Sequence, residues 1–566
     1  MDIVERKYSP QIALTLLKAG HSALLSRLFA SRGITCPTEL QGGLTELLPY
    51  SDLKNAIEMA AVLAEAIETS KELVIVADYD ADGATACATG VRALTAFGAK
   101  VRYVVPDRLT QGYGLTPGIV QDVASMRPRP DFIITVDNGI ASHDGIALAN
   151  ELGIAVLVTD HHLPADTLPA ALLIVDPSQP GCTFPSKSIA GCGVMYYVMW
   201  ALQDTLSLMG LPQKDLNFNV TDLLPIVAIG TVADVVTLDF NNRILVSQGI
   251  IKIKEACFFP GIKELIKISG KSTTNLATSD IAFGIGPRIN AAGRLQSMTA
   301  GIECLITNDE QVAVALAIEL NSINNQRKEI EGDITDEATH RLLTDVQPSR
   351  YTAVLFAENW HHGVIGVVAG RIKERIWRPT FVLASGHEGE LRGSGRSVPG
   401  FHLRDALDLV SKRSTGLLLK FGGHAMAAGV SIRAGGLDEF SALFEEVARE
   451  LLPPSALNQI LEVDGGLSST ELTLDTVSAL KQQVWGQGFP EPLFMDTFDV
   501  IESREMGGGK HLKLTLRKDG KIYQAVKFRH LEGRPAPRIL ATYKIDSNTF
   551  NNRTDLQLLL ENYTTA

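Results

Sequence analysis

The chain has 566 residues, which is too long for one compact core and predicts three or four domains. Hydrophobic residues make up 45% and charged residues 20%, which excludes wholesale disorder, and six scattered cysteines without a C-x-x-C pair exclude a zinc knuckle or a secreted disulfide framework. The formal net charge of −12 excludes a protein that coats nucleic acid indiscriminately, so any nucleic acid must meet a localised basic groove.

The amino terminus, MDIVERKYSP, lacks the apolar core of a signal peptide, and no apolar run of the chain could span a bilayer. We therefore expect a cytoplasmic protein with no membrane partner. Residues 1–70 predict a leading helical segment, because their apolar positions recur three and four apart. Residues 71–305 then alternate β-rich runs, beginning with LVIVA, with helical stretches, which predicts a parallel sheet covered on both faces.

Three further segments complete the predicted organisation. Residues 306–345 are polar and helical in pattern, which indicates a connecting helix between two lobes. Residues 346–452 open with YTAVLFAE and predict a second, smaller α/β domain. Residues 455–566 contain LKLTL, IYQAVKF, PRILATYKI and LQLLLENY, which predict successive strands of a small barrel of the OB type.

Acidic and imidazole side chains follow three predicted strands of residues 71–305. They are Asp78, Asp80 and Asp82 in DYDADG, Asp137 in VDNG, and Asp160, His161 and His162 in DHH. Because the carboxyl ends of parallel strands line one crevice, we expect these side chains to converge there. Asp234, in the helical GTVADVV, could fold over the same crevice.

Carboxylates with one or two imidazoles suit Mn²⁺ or Mg²⁺, so we expect one or two such ions. Paired ions of this kind hold a phosphoryl group and activate water, which predicts hydrolysis of a phosphoester. Taken singly, each motif could instead be a helix N-cap or an ordinary loop. Their coincidence at one sheet edge favours a metal site.

The motifs DYDADG, VDNG, DHH and GTVADVV, in this order, resemble the four phosphoesterase motifs of the DHH superfamily. The later segments GIGPRINAAGR, WHHGVIGVVAGRI, GSGRSVPGFHLRDAL and FGGHAMAAG resemble signatures of the superfamily's bacterial single-strand-specific DNA exonucleases. The resemblance implies an α/β fold: a parallel-sheet DHH phosphoesterase domain, a smaller α/β DHH-associated domain and a C-terminal OB-like β-barrel.

The same resemblance implies a function and partners. The expected activity is 5′→3′ degradation of single-stranded DNA to 5′-mononucleotides in DNA repair and recombination. Single-strand-binding protein and helicases are the implied protein partners. Duplex DNA would be too wide for the groove that we expect between the two lobes.

Carried over residue by residue, the resemblance assigns a main metal site to Asp80, Asp137, His161 and Asp234. Asp78 and the shared Asp137 would form a second site, His162 would contact the scissile phosphate or assist the leaving group, and the adjacent Asp82 would take part in catalysis. Related pyrophosphatases place a histidine where this chain has Val74. The second metal is therefore expected to be weakly held or to enter with substrate.

Glycine-rich segments supply the predicted nucleic-acid contacts. In GSGRSVPGF, Ser394, Arg396 and Ser397 are donors, and the planar fork of Arg396 suits a terminal 5′-phosphate; a glycine-rich hairpin turn is the structural alternative. Gly422, Gly423 and His424 offer backbone amides and an imidazole for a phosphate or a ribose. Arg288, Asn290 and Arg294 could bind the backbone one nucleotide further along, or could instead form a helix cap between domains.

In the tail, aromatic and basic side chains could bind bases and backbone, or the aromatic ones could be barrel core. They are Tyr523, Phe528, His530 and Tyr543, with Lys510, Lys513, Arg517 and Lys521. Two other functions stay open at this point. One is a phosphodiesterase acting on small nucleotides or short oligonucleotides, and the other is a non-catalytic single-strand-binding scaffold of the replisome.

Overall fold

The computed structural model describes residues 2–107, 111–256, 259–345, 349–386, 389–528, 533–551 and 553–566. Its strands are, in chain order, β1 (Asp2–Glu5), β2 (Glu72–Ala77), β3 (Lys100–Val104), β4 (Phe132–Val136), β5 (Ala155–Thr159), β6 (Leu173–Val175), β7 (Ala353–Phe356), β8 (Thr380–Ser385), β9 (Leu391–Arg396), β10 (Leu418–Gly423), β11 (Ala427–Ile432), β12 (Ile460–Val463), β13 (Phe494–Met506), β14 (His511–Lys518), β15 (Lys521–Phe528), β16 (Arg538–Phe550) and β17 (Arg553–Thr565).

The helices of the same ranges are α1 (Pro10–Lys18), α2 (Ala23–Ala30), α3 (Ala56–Glu68), α4 (Ala81–Phe97), α5 (Pro117–Ala124), α6 (His143–Glu151), α7 (Gly191–Met209), α8 (Leu224–Ala233), α9 (Phe240–Ala256), α10 (Pro260–Ile268), α11 (Thr278–Asp280), α12 (Gly286–Leu295), α13 (Thr299–Ile306), α14 (Glu310–Asp345), α15 (His362–Ile376), α16 (Leu403–Arg413), α17 (Leu437–Leu451) and α18 (Leu474–Lys481). None of them is both long and apolar enough to cross a membrane.

The chain forms two compact units, each with its own core. The larger unit comprises residues 5–321 and 462–566, and the smaller comprises residues 1–4 and 322–461. The division falls inside α14, so this one helix belongs to both units. The leading segment is not wholly helical as predicted, because β1 pairs with β12 and the Asp2 N–H donates to the Gln459 carbonyl at 2.8 Å.

A five-stranded parallel sheet lies at the centre of the larger unit. Its strand order is β3-β2-β4-β5-β6, and every neighbouring pair is parallel. Strand β2 shows how both faces are covered. Leu73, Ile75 and Ala77 enter one apolar cluster, while Val74 and Val76 enter another on the opposite face. Burial on both faces explains the continuous apolar run in the sequence.

The C-terminal part of the larger unit is a closed five-stranded barrel with the order β13-β14-β15-β17-β16. Along β14, Leu512, Leu514 and Leu516 point inward and are buried, whereas Lys513 and Arg517 are exposed. This alternation is the period-two pattern of a barrel wall. The barrel confirms the predicted OB-like fold. The sequence prediction missed β13, because its charged residues obscure the alternation.

The smaller unit contains a mixed sheet with the order β10-β11-β9-β8-β7. Only β7 and β8 pair in parallel among its strand pairs, and the other pairs are antiparallel. Phe381, Phe440 and Phe444 pack at the heart of its core, with ring centroids 5.1–5.7 Å apart. The predicted second, smaller α/β domain is thereby confirmed as a fold.

The described cysteines, Cys36, Cys87, Cys182, Cys192 and Cys304, are free thiols. Cys257, the sixth cysteine of the sequence, lies outside the described residues. The free thiols agree with the expectation from their scattered spacing.

Candidate metal centre

Parallel register brings the acidic motifs to one edge of the larger unit's sheet. Ala77 lies opposite Val136, and Val136 lies opposite Thr159, so the three strands end level with one another. Asp78, Asp137 and Asp160 follow these residues directly. Asp234 reaches the same place from the C-terminal end of α8. The three strand-end motifs and Asp234 therefore converge as the sequence predicts.

Three overlapping groups of ligand atoms form at this edge, with the atoms of each group within 4.8 Å of one another. They are Asp78 with Asp80 and Asp137, Asp82 with His161 and Asp234, and Asp137 with His161 and His162. His161 lies at their centre: its Nε2 is 3.1 Å from Asp137 Oδ1, 3.6 Å from Asp234 Oδ2 and 3.8 Å from Asp82 Oδ2.

Two buried atoms at the centre of these groups have no hydrogen-bond partner among the described residues. They are Asp137 Oδ1 and His161 Nε2, which lie 3.1 Å apart but in an orientation that forms no hydrogen bond between them. An orphaned polar atom inside a protein costs free energy unless an ion or a water molecule satisfies it. A neutral imidazole nitrogen and a carboxylate oxygen are both metal ligands. The residues present therefore fit a divalent cation.

The electrostatics point the same way. Burial raises the pKa of Asp137 well above its usual range, and the charges of Asp82, Asp80 and Asp78 raise it further. Burial and the same neighbours also raise the pKa of Asp234. Burial lowers the pKa of His161 and so favours its neutral, ligating form. A bound cation would therefore stabilise the charged form of these buried carboxylates.

Hydrogen bonds to the start of two helices hold the carboxylates of the first motif. Asp80 caps α4, and its Oδ1 accepts the N–H groups of Asp82 at 2.9 Å and Gly83 at 3.0 Å. Asp82 is fully buried and accepts the N–H groups of Gly191 at 2.6 Å and Cys192 at 3.0 Å, at the start of α7. These two bonds anchor Asp82, and its carboxylate lies close to His161 and Asp234, where it suits a ligand or a positioning role.

Glycine at position 191 is required by this close packing. A Cβ there would lie 2.7 Å from Asp137 Cβ and 2.9 Å from Asp137 Oδ1. Asp137 itself has a positive φ of 60°, a conformation that non-glycine residues adopt mainly where the surroundings impose it. The start of α7 thus fixes both Asp82 and Asp137.

Asp160 holds the histidine pair rather than facing the metal groups. It is buried and accepts N–H groups from Ile140, His161 and His162, and its Oδ1 lies 2.7 Å from His162 Nδ1. Burial opposes ionisation of Asp160, but the hydrogen bond and charge of His162, the charge of His161 and the Ile140 N–H together outweigh it and lower the pKa of Asp160. Burial also opposes the charge on His162, yet Asp160 raises the pKa of His162 to about 9.

Sequence reasoning missed two further residues of the centre. The Tyr113 hydroxyl lies 3.3 Å from His162 Nε2, and the two rings pack edge to face. Asp176 is fully buried and follows β6, the fourth strand to end at this edge. Burial and the charge of Asp160 raise the pKa of Asp176 to about 8. The strand-end rule could have found Asp176, but no motif marks Tyr113.

The candidates of GPRINAAGR bind the protein itself. Arg288 is buried and donates to the Gly284 carbonyl at 2.6 Å, to Asn321 Oδ1 at 3.0 Å and to the Ile268 carbonyl at 3.3 Å. Asn290 Oδ1 accepts the Ala81 N–H at 2.8 Å and so steadies the DYDADG turn. These contacts use three of the five N–H donors of the guanidinium, and the contact of Arg288 with DNA stays a prediction. Arg294 is half-buried near the end of α12.

In the smaller unit, the candidates on β9 divide between two environments. Ser394 and Arg396 are two residues apart and share one face of the sheet, beside Gly366 of α15. Ser397 is buried and donates to the Phe401 carbonyl at 2.6 Å, and its contact with DNA stays a prediction. Ser394 and Arg396 remain candidates for a phosphate.

The glycines of β10 extend the face of Ser394. Ser394 pairs with Gly429 of β11, and Gly429 pairs with Gly422 of β10. A Cβ at Gly422 would meet no atom within 4 Å, and one at Gly429 would meet only the Gly393 carbonyl at 3.9 Å. Folding does not require glycine at these two exposed positions, so a ligand that approaches the backbone explains them better. Gly423 and His424 follow on the same exposed strand end.

The barrel aromatics of the prediction also divide. Tyr523 and Tyr543 are buried in the barrel, so they are core residues and not base-stacking ones. Phe528 is 59% exposed and packs edge to face against His511. His530 lies outside the described residues. Lys510, Lys513, Arg517 and Lys521 lie on or beside the exposed face of β14 and β15.

Three family models match the chain, one for each part of the fold. The DHH family, N-terminal domain, matches residues 72–231, the DHHA1 domain matches residues 350–450, and the RecJ OB domain matches residues 463–562. Together they span the two α/β parts and the barrel.

Whole-chain relatives agree with the family models. The chain is 42% identical over 576 residues to the single-stranded-DNA-specific exonuclease RecJ of Dickeya dadantii, with 99% of each chain covered. It superposes on RecJ of Thermus thermophilus in complex with Mn²⁺ with a TM-score of 0.83 and 29% identity, covering 100% of this chain and 79% of that one. The Mg²⁺ complex of that protein gives a TM-score of 0.77 at 27% identity, covering 100% and 78%.

Proposed function

The chain belongs to the RecJ family of DHH phosphoesterases, and from that membership we propose that it is a single-stranded-DNA-specific exonuclease that hydrolyses phosphodiester bonds with Mn²⁺ or Mg²⁺. The observation that carries the proposal is the pair of orphaned, buried ligand atoms, Asp137 Oδ1 and His161 Nε2, among converging carboxylates. We further propose 5′→3′ polarity with release of 5′-mononucleotides, and a role in DNA repair and recombination.

The metal ligands in this proposal are Asp78, Asp80, Asp82, Asp137, His161 and Asp234. When bound, the cations supply an activated water molecule and neutralise the phosphate. The protein contributes geometry: Asp160 fixes the His162 ring, and the N–H groups that begin α7 fix Asp82. His162, charged at neutral pH, donates a proton from Nε2 to the leaving oxygen.

Substrate binding in the proposal uses the smaller unit. Ser394 and Arg396 hold the 5′-phosphate, and the glycine face of Gly422 and Gly423, with His424, lies against the sugar-phosphate backbone. A planar guanidinium suits a terminal phosphate, which carries more oxygens to bind than an internal phosphodiester. Recognition of that end would set the polarity.

The two alternative functions are less well supported. A replisome scaffold without catalysis does not need carboxylates and imidazoles gathered around orphaned atoms. An enzyme for small nucleotides does not need a C-terminal barrel, which here matches the RecJ OB domain over residues 463–562. We also propose that the enzyme works in the cytoplasm, where helicases expose single strands and single-strand-binding protein presents them.

Digestion of end-labelled oligonucleotides tests the function. With Mn²⁺, a 5′-labelled single strand should release labelled mononucleotide at once, a 3′-labelled strand should shorten gradually, and a blunt duplex should persist. Asp137→Asn should lower the rate by at least about 100-fold, since it removes a ligand shared by two of the three groups. Asp438→Asn, at an exposed acid of α17, is the control and should be fully active.

Three results would contradict the proposal. Digestion that continues in excess chelator would exclude the metal site, and equal digestion of the duplex would exclude single-strand specificity. Immediate release of the 3′ label would exclude the polarity. Removal of the 5′-phosphate should weaken the substrate, and Arg396→Ala should abolish that difference.

A further inference from the structure

A cavity of about 600 Å³ lies within the larger unit, and two residues of its wall are sequence neighbours of a candidate metal ligand. Its wall includes Ala233 and Val235, the two residues that flank the metal-site carboxylate of Asp234. The wall also includes Trp485 of the segment before the barrel, and Ile545 and Leu559 of the barrel itself. It is largely apolar, and the mechanism above makes no use of it.

Two large apolar side chains in this wall face solvent. Phe283 is 81% exposed and Val235 is 63% exposed. Val235 also has a positive φ of 63°, which is costly for a β-branched residue. The strained backbone of Val235 directly follows the candidate ligand Asp234, where strain is typically retained for function, and the exposed Phe283 ring belongs to the same cavity wall. The wall therefore has the character of a binding surface.

The lysines in the wall do not provide free positive charge. Lys271 pairs with Asp280 at 2.7 Å, Lys481 with Asp546 at 2.5 Å and Lys544 with Glu491 at 2.8 Å. A phosphate inside the cavity would have to displace these carboxylates. An uncharged planar group, such as a nucleobase, would meet no such cost and would bury apolar surface.

Free positive charge lies further around the barrel from the cavity. Across the barrel wall, Lys544 and Leu559 of the cavity are in register with Val526 of β15, then Lys513 of β14, then Arg504 of β13. Lys513 and Arg504 are exposed, directly opposite each other, and without an ion pair among the described residues. Like charges in such a cross-strand pair repel, so a bound anion would stabilise them.

We propose that the cavity receives nucleobases of the strand on the 3′ side of the cleaved bond, with Phe283 stacking against a base and the backbone passing Lys513 and Arg504. The inference rests on the proposed function. An apolar cavity, with a cation pair two and three strands further around the same barrel, matches single-stranded nucleic acid, whose bases stack while its phosphates meet cations. Only unpaired bases can enter, so the cavity adds to single-strand selectivity.

Abasic substitution in the substrate, combined with Phe283→Ala, tests the inference on the full chain. The substrates are 5′-phosphorylated 20-mers with one abasic site, placed in turn at each nucleotide from the second to the eighth. For the unaltered enzyme, kcat/KM should fall about 5- to 100-fold at one or two positions, the range expected for one stacked base. Phe283→Ala should show a similar loss on the intact strand and no further loss at those positions.

Controls separate stacking from damage to the metal centre. A 5′-phosphorylated dinucleotide lacks the third and later nucleotides, where we expect the stacked base, so Phe283→Ala should cleave it at the normal rate. Phe283→Trp should keep the abasic dependence, because it keeps the stacking surface. Leu208→Ala, at an 88% exposed leucine of α7, should match the unaltered enzyme in every assay.

Failure of the inference and failure of the proposed function look different. If the enzyme digests single strands but Phe283→Ala retains the full abasic dependence, the cavity does not hold bases. If Phe283→Ala slows cleavage of the dinucleotide equally, Phe283 supports the metal centre and the inference is wrong. If the unaltered enzyme digests no single strand with Mn²⁺, the proposed function itself fails.

Discussion

Asp160 shows how one carboxylate can organise two neighbouring histidines without being a ligand. Its carboxylate accepts hydrogen bonds from three backbone N–H groups and from Nδ1 of the His162 ring. These bonds use its lone pairs within the protein. His161 is then turned toward Asp137, Asp82 and Asp234. The two rings consequently differ in charge state, since the pKa of His161 is lowered and that of His162 is raised to about 9.

Asp160→Asn should lower the pKa of His162 in the metal-free protein. The amide keeps the acceptor for the backbone N–H groups but removes the negative charge beside Nδ1. In the unaltered protein the folded-state pKa lies above the ordinary 6.5, so His162 adds stability below pH 6.5 that is lost as pH rises toward 9. NMR titration of the histidine ring protons should show this, and unfolding by urea at several pH values should show a flatter profile for the variant.

An unchanged His162 titration in Asp160→Asn would show that Asp160 is not the cause. His143→Gln, at a histidine of α6 outside the metal centre, is the control and should leave the His162 titration unaltered.

For single residues, the sequence predicted which acidic and histidine side chains converge, but it did not predict which polar side chains are buried. Asp78, Asp137 and His161 follow strand ends, and the register of a parallel sheet brings these ends together regardless of the loops that connect the strands. Arg288 and Ser397 are buried and donate hydrogen bonds to the protein itself, which their motifs did not indicate. Whether a polar side chain faces solvent depends on packing between elements, which a local pattern does not encode.

At the element scale, the start of α7 is the part of the fold on which the metal centre depends most. The helix supplies N–H groups to Asp82, and Gly191 leaves room for Asp137. The sequence GCGVM marks a helix start, but it gives no sign that two carboxylates from other segments rest against it.

Gly191→Ala should therefore weaken Mn²⁺ binding by about 10- to 100-fold, the usual effect of disturbing groups that orient ligands. The added Cβ would force Asp137 to move, because it would lie 2.7 Å from Asp137 Cβ. Isothermal titration calorimetry with Mn²⁺ measures the change. Gly332→Ala, in α14 with no atom within 4 Å of the added Cβ, is the control and should bind Mn²⁺ normally.

A second element-scale prediction concerns the segment that joins β12 to the barrel. Arg32, just after α2, forms two bonds to Asp464, Nη1 to Oδ1 at 2.8 Å and Nη2 to Oδ2 at 2.9 Å, and both side chains are essentially inaccessible. Asp464→Ala would leave a buried, unpaired guanidinium and should cost about 3–5 kcal/mol of unfolding free energy.

Unfolding by urea, followed by circular dichroism, measures that cost. Asp555→Ala breaks the exposed pair with Arg553 and should change stability little. Equal effects of the two substitutions would contradict the account of burial.

Element boundaries followed from the sequence where hydrophobic periodicity was clear. β2, β4 and β5 are continuous apolar runs, and the polar helix α14 spans Glu310–Asp345 where residues 306–345 were expected. The short strand β1 was missed because it pairs with β12 across more than four hundred residues, and nothing in DIVE identifies its partner.

At the scale of the whole molecule, the two units have separate cores and should respond differently to metal. The proposed metal ligands all belong to the larger unit, so Mn²⁺ should stabilise that unit and leave the smaller one unaffected. A ligand present at a hundred times its Kd adds about 2.7 kcal/mol to the folded state. Two unfolding transitions are expected, because multidomain proteins commonly unfold in steps.

Differential scanning calorimetry with and without chelator tests this expectation. Removing Mn²⁺ should lower the temperature of one transition and leave the other in place, and Asp137→Asn should make both transitions independent of Mn²⁺. Equal shifts of both transitions would contradict the assignment of the metal to the larger unit.

The larger unit consists of two separate segments of the sequence. Residues 322–461 of the smaller unit lie between them, and the barrel belongs to the second segment. A ribosome making this protein has therefore finished every metal-site residue and the whole intervening unit before it starts the barrel. Asp464, the partner of Arg32, emerges some four hundred residues after it, so the two halves of the larger unit can join only when translation is nearly over. A truncated nascent product would thus contain the proposed metal ligands. It would lack the barrel, the cavity wall formed by Trp485 and Leu559, and the cation pair of Lys513 and Arg504.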